Sequence, residues 1–190
     1  MRVVWLMMAA AMAAGPALAK DSPKSGTPMG VHEARHGAWS VSCTPCTSGE
    51  EPVCQIAPKA EGGSVALYPS SYDAEKPALG MIYWPRDLSP ETEGTLTVAV
   101  DGETVRVIMP PDVRYTAMYG DLVIAEAEVT ALLPALRAGS VLTLEFIDAA
   151  GGGAQEFPLD GFDAALDDML RHLPETLAAG ATMTEEGCAF

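Results

Sequence analysis

The feature that most restricts how this chain can fold is a period of two in its side chains. Trp39, Val41 and Cys43 alternate with Ser40 and Ser42, which is the pattern of a strand with one buried face. Seven further runs read as strands: Val53–Ala57, Ser64–Tyr68, Leu79–Trp84, Thr95–Val100, Glu103–Met109, Leu122–Ala127 and Val141–Ile147. Between two of them, Asp101-Gly102 is a two-residue hairpin turn. Short strands broken at close intervals by proline and glycine predict a β-sandwich or barrel.

Two segments carry a helical period instead. Glu126 to Arg137 sets Val129, Leu132, Leu133 and Leu136 on one face and stops at Gly139, with Pro134 expected to shorten or kink it. Asp160 to Leu173 gathers Phe162, Ala165, Leu166, Met169, Leu170 and Leu173, leaves Asp163, Asp167 and Asp168 off that face, and is expected to end at Pro174. The acidic side reads as a solvated surface. Gly151-Gly152-Gly153 reads as the tip of a flexible hairpin, and residues 175–190 as an irregular tail.

The first 19 residues have a different character. Arg2 is followed by an apolar run from Val3 to Ala14, a break at Gly15-Pro16, and Ala17-Leu18-Ala19. These are the charged, apolar and small-residue parts of a cleavable export signal, and cleavage would make Lys20 the new N-terminus. The run is shorter than the roughly 20 residues that span a bilayer. A bacterial periplasmic or secreted location is therefore expected, with no membrane span after cleavage. Residues 20–37 are rich in Pro, Gly, Ser and Lys and read as a disordered lead-in to a domain over 38–174.

Loss of Arg2, one of 11 Lys and Arg, leaves ten against 26 Asp and Glu, a net charge of −16. Such a surface repels nucleic acid and anionic lipid, whose phosphates need clustered cations. It favours solubility or a basic partner.

All four cysteines, Cys43, Cys46, Cys54 and Cys188, lie beyond the signal. An even number in an exported chain reads as two disulfides. One arrangement is Cys43–Cys54 with Cys46–Cys188, where the long bridge ties down the tail; the other is Cys43–Cys188 with Cys46–Cys54. Under the chain-entropy model the short loop is worth about 2–3 kcal/mol and the long one about 5 kcal/mol.

Three chemical readings compete with a purely structural one. Cys43-Thr-Pro-Cys46 has the spacing of a redox dithiol, but it closes a strand and precedes the acidic turn Thr47–Pro52. A reactive thiolate needs a helix N-terminus or nearby cations. His32-x3-His36 before Cys43-x2-Cys46 offers zinc-type ligands, yet only six residues separate the pairs, fewer than in a zinc finger. Tyr68, Tyr72, Tyr83 and Trp84 could stack on a carbohydrate, although strand aromatics usually belong to the core. Neither a metal nor any other cofactor is expected. His32, His36 and His172 are the only histidines, and no nucleophile elbow, phosphate loop or His-Glu-x-x-His motif occurs. No catalytic residue is assigned, and an enzyme is not expected.

The domain resembles the invasion-associated locus B family of exported bacterial proteins. The resemblance rests on Trp39-Ser40-Val41-Ser42-Cys43 followed by Cys54, on Val105 to Pro111 as a strand ending in a proline turn, on Arg137-Ala138-Gly139, and on Gly161-Phe162-Asp163-Ala164-Ala165-Leu166. These pieces are spread over residues 38–170. Where family members often carry a second cysteine pair, this chain has Tyr115 and Asp121. The resemblance implies an immunoglobulin-like β-sandwich with one or two short helices and no catalytic residues. The expected role is a non-catalytic module that binds a protein or an envelope component.

Overall fold

The computed structural model describes residues 32–44, 53–58, 64–70, 78–85, 94–116, 120–149 and 151–182. In chain order these form β1 (His32–His36), β2 (Trp39–Thr44), β3 (Val53–Pro58), β4 (Ser64–Pro69), β5 (Leu79–Trp84), β6 (Gly94–Val100) and β7 (Glu103–Ile108). After them come β8 (Val113–Thr116), β9 (Asp121–Ile124), helix α1 (Glu126–Ala138), β10 (Val141–Asp148), β11 (Gly151–Pro158) and helix α2 (Phe162–Thr182). The fold is mostly β, with two antiparallel sheets and two helices. The larger sheet has the order β1-β2-β3-β4-β5-β9-β8 and the smaller β11-β10-β6-β7.

Alternation decides which side of each strand is buried. In β2, Trp39, Val41 and Cys43 are buried; in β6, Leu96, Val98 and Val100; in β10, Leu142, Leu144 and Phe146. These inner faces meet in one core that also takes Tyr83 and Phe157, whose rings stand edge to face at 6.3 Å. The Tyr83 hydroxyl donates across the sheets to the Leu144 carbonyl at 3.4 Å. The Asp101-Gly102 turn joins β6 to β7 with φ of 52° and 83°, the positive pair that a two-residue hairpin demands. The Asp101 carboxylate also accepts from the backbone N–H of Ser140 and of Val141, at 3.0 and 2.9 Å, which fastens the turn to the start of β10.

Both helices pack through their apolar stripes. Val129, Leu132 and Leu136 of α1 are buried, as are Phe162, Ala165, Leu166, Met169 and Leu173 of α2. Arg137 of α1 bridges Asp163 and Asp167 of α2, so those two aspartates are solvated as expected.

Several expectations are corrected. The helix does not stop at Pro174, and residues 175–182 are not irregular: α2 runs on to Thr182 because Thr176 is buried and Leu177 packs on the core. That packing offsets the one N–H that proline removes. α1 likewise continues through Pro134, held by Leu132 and Leu136 on either side. Residues 32–36 are not disordered lead-in but strand β1, paired in register with β2 from His32↔Cys43 to His36↔Trp39. Gly151–Gly153 is not a hairpin tip but the start of β11, paired with Phe146–Asp148 of β10. Residues 1–31, including the expected export signal, lie outside the described residues.

Among the described residues no helix is long and apolar enough to cross a membrane.

Candidate functional site

α2 lies across β1, β2 and β3, and two glycine-permitted contacts fix it there. The Ala38 N–H donates to the Asp160 carbonyl at 3.0 Å. Gly161, with φ +82°, sits so close to the β1–β2 turn that a Cβ would come within 1.9 Å of the His36 carbonyl oxygen. Trp39 completes the joint, donating from Nε1 to the Pro158 carbonyl at 2.8 Å and packing edge-on against Phe162 at 5.0 Å.

This joint sets one face of β1 against one face of α2. On a strand, residues two and four apart share a face, so His32, Ala34 and His36 point toward the helix while Glu33 and Arg35 are exposed. On a helix, residues four apart share a face, so Asp168 and His172 point together toward the strand. The result is three histidines around one carboxylate. Nε2 of His32 lies 3.1 Å and Nε2 of His36 2.8 Å from Asp168 Oδ2. Nδ1 of His172 lies 3.3 Å from Asp168 Oδ1 and 3.0 Å from the Asp168 backbone carbonyl. The His32 and His172 rings stack at 3.6 Å, 13° from parallel. Arg171 reaches the same carboxylate from solvent at 3.4 Å.

Asp168 is only 8% exposed in its side chain, against 27–29% for the three histidines. Burial alone would push its pKa up. The hydrogen bonds from His36 and His32, with the charge of His32 and His172, outweigh that and hold it below the usual carboxylate range. Reading Asp168 as part of a solvated acidic face is therefore corrected: it is the buried centre of a polar cluster.

Cys43 and Cys54 take no part in this cluster. Cys43 is bonded to Cys54, directly opposite it across β2 and β3, and both are buried. Thr176 of α2 covers the pair, with Oγ1 3.7 Å from Cys54 Sγ. His32 and His36 thus meet Asp168 and His172 instead of Cys43. Cys46, Cys188 and Tyr72 lie outside the described residues. Of the aromatic group, Tyr83 is fully buried, and that burial pushes its pKa up to about 12. Tyr68 and Trp84 are half-buried. No large aromatic ring is exposed among the described residues.

The other end of the sandwich presents a contrasting surface. β7 is an edge strand of the smaller sheet, and among the described residues only β6 pairs with it. Among the described residues the exposed large apolar side chains are Val105 (37%), Val107 (54%) and Met109 (61%) at this edge, and Ile147 (47%) of β10. Register places Val107 opposite Thr97, and Thr97 opposite Glu145; Ile147 lies opposite Thr95. Alternation puts Val107 and Ile147 on the outer face, since Leu96, Val98, Leu144 and Phe146 are buried inside. Glu145 and Glu156 share that face, with Glu156 opposite Thr143. The four strands contain a single cation, Arg106, whose guanidinium is held by Glu128 of α1 at 2.8 Å.

No protein-family model, no curated protein and no solved structure matches the chain.

Proposed function

We propose that the chain is an exported, non-catalytic interaction module that binds a basic, apolar segment of another protein on the outer face of its smaller sheet. One observation carries the reading: Val107 and Ile147 are exposed on a face that they share with Glu145 and Glu156, with Met109 exposed just past β7, while the single cation of the four strands, Arg106, is paired in register with buried Val98 and held by Glu128. Edge strands are commonly guarded by charge, proline or a bulge; β7 has Glu103 and Arg106 and still leaves Val105 and Val107 in solvent. The register shift between Val98 and Ala99 places Val105 at a bulge, which interrupts ladder pairing. Binding is therefore assigned to side chains on the face more than to backbone strand addition. The net charge of −15 attracts a basic partner over longer range.

Export is supported by the three-part N-terminal pattern and by the Cys43–Cys54 bond, which persists in an oxidising compartment. The resemblance to the invasion-associated locus B family points the same way. The test is an NMR titration of the ¹⁵N-labelled protein with a synthetic peptide of alternating lysine and valine. Shifts centred on Thr95, Thr97, Val107 and Ile147, reduced by added salt and lost in a Val107→Ser, Ile147→Ser double variant, are expected. Shifts elsewhere, or none, would overturn the assignment.

A further inference from the structure

We infer that His32, Asp168 and His172 form a binding site for a divalent transition-metal ion of the zinc class, with His36 as the residue that orients the carboxylate. The donor set is the first ground. Neutral imidazole nitrogens and a carboxylate suit zinc, copper and nickel, whereas calcium and magnesium prefer oxygen alone.

Spacing is the second. A tetrahedral site with bonds of about 2.0–2.1 Å sets neighbouring ligand atoms about 3.3 Å apart. Here Asp168 Oδ2 lies 3.1 Å from His32 Nε2 and its other oxygen, Oδ1, 3.3 Å from His172 Nδ1, and one donor atom from each of the three residues falls within 4.8 Å of the other two. His36 donates to Oδ2 at 2.8 Å, the kind of outer partner that holds a ligating carboxylate in place. Rigidity is the third. Two ligands stand on α2 and one on β1, and these elements are fixed together by Gly161 and Trp39 rather than by a loop.

Loading has definite requirements. His172 must give up its contact with the Asp168 backbone carbonyl, and the stacked His32 and His172 rings must tilt so that both nitrogens converge. Arg171 must leave the carboxylate; it is 71% exposed and swings into solvent at little cost. The partly exposed histidines leave a fourth position open toward water. Both imidazoles must be neutral, so affinity falls as the solution is acidified.

The test uses the full chain, with the Cys43–Cys54 bond intact, after chelator dialysis. Zinc is titrated against a chromogenic chelator, cobalt(II) absorption reports the ligand type, and circular dichroism checks each variant for folding. Expected are one ion per chain, a cobalt spectrum of nitrogen and oxygen ligands, and no competition from millimolar magnesium. His172→Gln and His32→Ala abolish stoichiometric binding. His36→Ala weakens it by about 10–100-fold, the usual effect of losing an outer partner, and Arg171→Ala strengthens it. No stoichiometric binding by the wild type, full binding by folded His172→Gln, or a sulfur-to-cobalt charge-transfer band would each overturn the site.

Discussion

The two ends of the sandwich handle their exposed groups in opposite ways. At the β1–β3 end the groups turned inward have partners: Asp168 is ringed by histidines, Trp39 Nε1 has a carbonyl, and the Cys43–Cys54 bond lies under α2. At the β7 end, apolar side chains stand in water beside carboxylates that have no strand cation near them. The first arrangement is what holding the chain together requires. The second lowers solubility by leaving apolar surface in water, so it gives stability no return. The contrast teaches that only one end is explained by folding alone.

Three variants sharpen that contrast. The largest effect falls on the disulfide: replacing Cys43 and Cys54 together by alanine is expected to cost about 2–3 kcal/mol by loop entropy, read as a lower urea midpoint. Asp168→Asn comes next, at about 1.5 kcal/mol for charge-assisted bonds weakened, and its size depends on pH. Because the folded state depresses the Asp168 pKa, its contribution is complete above the unfolded value of about 3.9 and is lost as pH falls through the lower folded value. The gap between wild type and Asp168→Asn should therefore be open at pH 6 and shrink as the pH falls below about 3.9; a gap unchanged with pH would count against the hydrogen-bonded cluster. The smallest effect belongs to Val107→Ser with Ile147→Ser, expected within about 0.5 kcal/mol of wild type. A loss of several kcal/mol there would mean that the face is structural after all.

Much of the sandwich was legible because burial imposes its own period. β2, β5, β6 and β10 each carry apolar residues on alternate positions, and the turn at Asp101-Gly102 needs residues that accept positive φ. The strands missed lack that signal for separate reasons. β11 opens with three glycines, which have no side chains to alternate, and is set by backbone pairing with β10. β8 is only four residues long. β1 reads His-Glu-Ala-Arg-His, polar residues on both faces with only the small Ala34 to mark the side that meets α2. The continuation of α2 past Pro174 depended on burial of Thr176 and Leu177, which proline's local preference does not report.

The polar cluster was hidden because its halves are 132 and more residues apart in the chain. Two matching signals were present. His32-x3-His36 and Asp168-x3-His172 each place two donors on one face, whether on a strand or on a helix. Reading the first beside the cysteines and the second as solvated surface kept them separate.

The contact between Gly161 and the His36 carbonyl has a consequence for the order in which the molecule is completed. It joins nearly the first described residue to nearly the last element, and closing a loop of that length is entropically costly until the sheets between are in place. A chain delivered from its N-terminus, by ribosome or by translocon, can form β1 with β2 early. It cannot assemble the histidines around Asp168 until residue 172 has emerged. The cluster is in that sense a seal on a finished chain, absent from any fragment truncated before α2.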